Sequence, residues 1–233
     1  MRPLLRASGI AAALFALLLG ACAPQPPTPA PASADEPADF PGAYYKQLAA
    51  QGRPLWRVDP VGSLVAIEVR RSGSLGHLGH DHVVASHNVG GYVAPAEGRA
   101  DLYVPLQQLA VDEPALRAAA GFETQPTASD IAGTRSNMLE KVLEADRLPF
   151  ALIAVSGVEA RSGSASVALT FHGVTRRLEV PVQVEENAER IEVTGRFSID
   201  QTDFGMTPYS ILGGAIAVRN RLDLRFRIRA VRY

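Results

Sequence analysis

Most of this chain alternates between apolar and polar residues with a period of two. Leu64 to Arg71 reads LVAIEVRR, with Val65, Ile67 and Val69 on one face and Ala66, Glu68 and Arg70 on the other. That pattern predicts a half-buried β-strand. The segment Ala215 to Val231 is the longest example. Between Arg219 and Arg229, Leu222, Leu224, Phe226 and Ile228 share one side, while Arg221, Asp223, Arg225, Arg227 and Arg229 share the other. Further short runs rich in Val and Tyr fall at His82 to His87, Gly90 to Val93, Arg99 to Pro105, Phe150 to Val158, Ser164 to Phe171, Leu178 to Glu185 and Arg190 to Ile199. Gly, Pro, Asn or Asp separates most of them, as hairpin turns require. One region breaks the rhythm. Pro114 to Ala120 and the stretch from Thr127, with Ile131, Met138, Leu139 and Val142 as apolar points, predict a helical insert over about 114–145. Many short strands with one helical insert predict a mainly β fold, an antiparallel barrel or sandwich. Closing the sheet would remove the edge that so long a final strand otherwise exposes.

The N-terminal region follows other rules. Met1 to Arg6 carries two arginines, Ala7 to Leu19 is uncharged and largely apolar, and Leu19-Gly20-Ala21-Cys22 follows. This is the layout of a secretory signal, too short for a comfortable membrane span. Its last four residues resemble a bacterial lipobox. The resemblance implies cleavage after residue 21, acylation of Cys22 and anchorage by the acyl chains. Ala23 rather than an aspartate after the cysteine implies the periplasmic face of the outer membrane. Ala23 to Gly42 holds prolines 24, 26, 27, 29, 31, 37 and 41, and reads as a disordered tether. Ala43 to Gln51 follows as a short helix. The expected organisation is a signal over 1–21, a lipidated cysteine, tether and short helix over 22–54, and one barrel domain over 55–233.

Composition narrows the function. The 233 residues are 47% hydrophobic and 20% charged, which is ample for a packed core. A formal net charge of -1 offers no basic field to draw the molecule to nucleic acid. Cys22 is the single cysteine, so no intramolecular disulfide contributes. Neither G-x-S-x-G, C-x-x-C, a phosphate-binding loop nor a paired-carboxylate motif is present, which argues against an enzyme.

Four of the five histidines, His77, His80, His82 and His87, crowd into Gly73 to His87, GSLGHLGHDHVVASH. On a strand His80 and His82 share a face, and His77 could fold back over the glycines to join them. A three-nitrogen site for zinc, copper or iron on His77, His80 and His82 is the alternative to a polar loop at a barrel mouth. His172 lies in a separate turn, where a hydrogen bond that stabilises the turn is the plainer role.

Four segments together resemble the YceI family of secreted bacterial proteins. His77-Leu78-Gly79 leading to Asn88-Val89-Gly90-Gly91-Tyr92-Val93 is similar to the family's early strand pair. Met138 to Ile153, MLEKVLEADRLPFALI, is similar to its helix and strand entry. Leu169-Thr170-Phe171-His172-Gly173-Val174-Thr175 is similar to its H-G-V-T hairpin. Asp203-Phe204-Gly205 resembles its late D-F-G turn. The likeness runs from about Trp56 to Tyr233, and GHLGHDH is richer in histidine than the family pattern. It implies a closed lipocalin-like antiparallel barrel that takes an elongated apolar ligand, a polyprenol or isoprenoid quinone. The candidate ligand-binding residues are His77, His80, His82, His172 and Phe204, the last packing as a plug, and no resident cofactor is expected.

Overall fold

The computed structural model describes residues 36–159 and 163–233. Cys22, the signal-like segment and most of the proposed tether lie outside the described residues.

The strands, in chain order, are β1 (Trp56–Val58), β2 (Leu64–Val69), β3 (Arg71–Ser72), β4 (His82–Ser86), β5 (Gly90–Ala94), β6 (Arg99–Pro105) and β7 (Ala110–Val111). They continue with β8 (Phe150–Glu159), β9 (Ser164–Phe171), β10 (Val174–Glu186), β11 (Arg190–Asp200), β12 (Ser210–Ile211), β13 (Ile216–Val218) and β14 (Arg221–Arg232). The helices are α1 (Gly42–Ala50), α2 (Pro114–Ala119) and α3 (Ala128–Asn137). α3 passes directly into a π-helical turn at Met138–Val142.

The strands close into an antiparallel barrel of eight staves. Three staves are broken strands. β1 and β2 form the first, β4 and β5 the second, and β6 and β7 the third, with β8, β9, β10, β11 and β14 completing the ring. β14 closes it. One edge of β14 pairs with β11 from Arg221 to Val231. The other edge pairs with β2 and then β1. A side chain bridges the break between β1 and β2. The Ser63 hydroxyl donates to the Asp59 carbonyl and accepts the Arg229 amide at 3.0 Å, giving both backbone groups a partner at the break. The second break needs a glycine. Gly91 has φ +135°, and a Cβ there would lie 2.2 Å from the Asp101 carbonyl oxygen.

The expected terminal segment is not one strand. The run from Ala215 divides into β13 and β14, with Arg219 and Asn220 between them. β13 leaves the barrel and joins β12 and β3 in a small separate sheet. Strand periodicity records which side chains share a face. It does not record a change of partner, and here the partner changes.

The helical insert appears where expected. Thr127 caps α3, accepting the Asp130 amide, while Asp130 accepts the Thr127 amide in return. The insert covers the barrel end where β7 leaves and β8 enters. α2 lies outside the wall, with Phe122 beyond its end packed on Ala66 and Val83.

The short helix expected over Ala43–Gln51 forms as α1 and packs on the barrel wall. Phe40 already packs edge-on against Tyr103 at 5.0 Å. Tyr45 of α1 is fully buried, stacks on Tyr92, and donates its hydroxyl to Asp101 at 2.5 Å. Burial, then the neighbouring Asp101 carboxylate, pushes its phenol pKa up. From Phe40 onward, therefore, the chain belongs to the folded body and not to a spacer. Among the described residues no helix is long and apolar enough to cross a membrane.

Candidate functional site: an unfilled barrel lumen

The inward faces are those that alternation predicts, but the side chains do not meet in the middle. Val65, Ile67, Leu224, Phe226 and Ile228 all point inward, yet each is only half-buried. In a filled core such residues lose nearly all their surface. Here they face a cavity of about 430 Å³, within the range of sites that hold small molecules. The choice of side chain explains the space. The wall is largely Val, Ala, Ile and Leu, too short to span an eight-stranded barrel.

At the helical end of the barrel, the side beneath the β9–β10 turn is sealed by packing. Phe204, only 1% exposed, meets Phe171 at 5.9 Å, edge to face. The seal is also tied by a histidine. His172 and Gly173, with φ of +50° and +75°, form a two-residue hairpin turn between β9 and β10. The His172 ring reaches the Phe204 carbonyl through Nδ1 and Glu144 Oε1 through Nε2, each at 3.3 Å. These bonds tie the turn to two other loops. Neither His172 nor Phe204 lines the cavity. Both brace this side of the helical end, because the H-G-V-T and D-F-G turns meet the end of the helical insert there.

The polar side chains of the lining gather at this same helical end. His80, His82, Thr134, Asn137 and Arg71 contribute to the wall. His82 is the best anchored. Its Nδ1 donates to Asp112 Oδ2 at 2.6 Å, and its Nε2 faces the Thr134 hydroxyl at 3.4 Å. The Asp112 side chain is fully buried. It also accepts the Val83 amide at 3.0 Å and Arg117 Nη1 at 2.5 Å. Burial pushes this carboxyl up, but the hydrogen bonds from His82, Val83 and Arg117 outweigh it and hold it below the ordinary carboxylate value. The ionised carboxylate only accepts, so it holds a proton on His82 Nδ1 and turns Nε2 toward Thr134 and the lumen.

His77 does not join the pair. It lies exposed on a short 3-10 turn, Gly76–Leu78, and lines nothing. His87 points outward, with its Nε2 2.8 Å from Glu113. The His80 and His82 ring centroids are 6.2 Å apart, and Asp112 already occupies one nitrogen of His82. Among the described residues no group of three or more His, Cys, Asp or Glu side chains is disposed to hold a metal ion. The three-histidine metal site is therefore corrected, since the glycines carry His77 outward instead of folding it back.

Four residues of this end were absent from the sequence reading: Asp112, Arg117, Thr134 and Asn137. A clue existed for the first two. Arg117 is the one charge in PALRAAA, and it is 4% exposed. A lone cation in an apolar helix calls for a buried carboxylate.

The family model of the YceI-like domain matches residues 56–230. The chain belongs to the YceI-like domain family. Among solved structures, a polyisoprenoid-binding domain from Saccharophagus degradans implicated in plant cell wall breakdown shares the fold. It is 16% identical, with a TM-score of 0.54, covering 76% of this chain and 98% of that one. BcnA of Burkholderia cenocepacia is 15% identical, with a TM-score of 0.51, covering 74% of this chain and 98% of that one. At such identities the likeness is one of fold, and it agrees with the closed barrel described above. No curated protein matches the chain.

Proposed function

We propose that this YceI-like protein binds and carries an elongated apolar molecule of the polyisoprenoid class, and is not an enzyme. The observation that carries the reading is the half-exposed inward face of Val65, Ile67, Leu224, Phe226 and Ile228 around an apolar cavity of about 430 Å³. Each CH₂ moved from water into such a lumen contributes about 0.8 kcal/mol, which favours a long chain over a compact ligand. The description of the Saccharophagus degradans domain as polyisoprenoid-binding supports the same class. The chain's polar terminus fits the helical end. There His82 Nε2, the Thr134 hydroxyl and the Asn137 amide offer hydrogen-bonding groups, and no carboxylate lines the cavity.

The reading includes a location. Cys22 at the end of Leu19-Gly20-Ala21-Cys22 supports an acylated N-terminus on the periplasmic face of the outer membrane. The Pro-rich stretch before Phe40 would hold the barrel off the bilayer.

Solvent extraction of the purified full chain, followed by mass spectrometry, tests the ligand. A stoichiometric isoprenoid is expected, and a chain that neither carries nor takes up one refutes the reading. Fractionation of cells expressing Cys22→Ser tests the anchor. The variant should leave the membrane fraction, and its retention there would contradict acylation.

A further inference from the structure

The loops beside the polar end of the lumen carry apolar side chains that stay partly or largely exposed. Leu78 is 63% exposed, Leu212 70%, Ile211 44% and Leu75 37%. They sit on two segments held together. The Leu75 amide donates to the Ala215 carbonyl at 2.8 Å, and β3 pairs with β13 through Ala217 and Val218. The contact depends on Gly73, whose φ is +89° and whose Cβ position would lie 2.4 Å from the Ala215 oxygen. The tips therefore form one surface.

Its charge pattern is ordered. From Met206 to Val218 there is no Asp, Glu, Lys or Arg, and from Ser72 to Gly79 the only ionisable side chain is His77. Adjoining the tips in sequence are Arg70, paired with Glu68 at 2.6 Å, Arg71, 3.8 Å from Asp81, and Arg219, whose amide donates to the Arg70 carbonyl at 2.8 Å and for which no ion pair is seen among the described residues. An apolar, uncharged tip adjoined by arginines matches the layering of a bilayer surface, with acyl chains beneath anionic headgroups. The surface is also continuous with the lumen, because Ile216, Ala217 and Val218 line the cavity.

Leu212 strengthens the case. Its φ of +52° places it in the left-handed region, where a leucine is strained, and Gly213 and Gly214 follow at +65° and +91°. A strained leucine held out in water gains nothing from the fold itself. Such strain points to function.

We infer that the 75–78 and 211–212 tips dock on the surface of a lipid bilayer, placing the polar end of the barrel against the membrane from which an apolar ligand would enter. This rests on the carrier reading above for its purpose, but its test does not.

The test uses the full chain with Cys22→Ser and a single environment-sensitive fluorophore. The label sits at Leu212→Cys or Leu78→Cys, or as control at Val184→Cys near the opposite end of β10. Vesicles of phosphatidylethanolamine with phosphatidylglycerol are added. A blue shift at 212 and 78, with none at 184, is the expected result. A vesicle-bound chain whose tips stay in water, equal shifts at both ends, or no vesicle binding would each overturn the inference. Leu212→Asn together with Leu78→Ser should lower vesicle association several-fold without lowering the melting temperature. Uptake of a polyprenol from detergent solution, where no bilayer takes part, should be unchanged. Loss of that uptake in the parent chain would instead count against the carrier reading.

Discussion

Two apolar surfaces of this barrel lie on opposite faces of one wall and have opposite fates. On the outside, α1 covers β5, and Tyr45, Leu55 and Ala94 lose essentially all their surface. On the inside, the Val93 side chain of the same strand faces a lumen that nothing in the chain fills. Tyr45 and Phe204 show that the protein closes gaps to full burial when large side chains are placed there. The unfilled lumen is thus a property of its short lining residues, not of loose packing in general. A core left open forgoes dispersion and hydrophobic stabilisation, a loss a bound chain would offset.

The contrast gives graded predictions. Phe204→Ala, on the sealed side of the helical end, should cost about 3–5 kcal/mol of stability by thermal or urea unfolding. A loss below about 1 kcal/mol would show that the seal is not packed as described.

Asp112→Asn should cost a similar amount, about 3–5 kcal/mol, because Arg117 is left buried without its carboxylate. It also has a pH signature. The carboxyl is held below its ordinary value of about 3.9, so its stabilisation is present above that pH and is lost as pH falls through the depressed value. Melting temperatures taken downward from pH 6 should drop more steeply below about pH 4 for the parent than for the variant. Parallel curves would remove Asp112 from that role.

Phe226→Ala, on the lumen wall, should cost less than the Phe204 change, about 1–2 kcal/mol, since its ring is only half-buried. An equal loss would erase the distinction between the two regions.

Filling the lumen should be the mildest change for the fold and the most severe for the ligand. Val167→Trp and Ile67→Trp stand on opposed staves, four apart around the ring. Overpacking a tight core costs about 1–3 kcal/mol. Growth into open space should shift stability by no more than about 1 kcal/mol while excluding the ligand.

Much of this was legible in the sequence, and the reasons are local. Leu222, Leu224, Phe226 and Ile228 read directly as an inner face, because strand geometry fixes alternation whatever the partner. The Thr127 cap was readable because the bonds that make it span three residues. The polar end was less legible because it is assembled from distant segments. His82 and Asp112 are 30 residues apart, and Asp112 reaches inward from a backbone φ of +59°. No periodicity reports that. The outward turn of His77 was equally hidden, since glycine-rich chain admits several paths and the pairing of β3 with β13 selects one. Whether short inward side chains leave a void depends on barrel diameter, which closure by β14 determines.

The most direct test of the central claim is a native mass spectrum of the full chain with Cys22→Ser after incubation with a polyprenol, run beside the Val167→Trp, Ile67→Trp double variant. A one-to-one complex for the parent and none for the equally folded variant is the predicted result. No complex for the parent, or equal complexes for both, would contradict a lumen that carries the ligand.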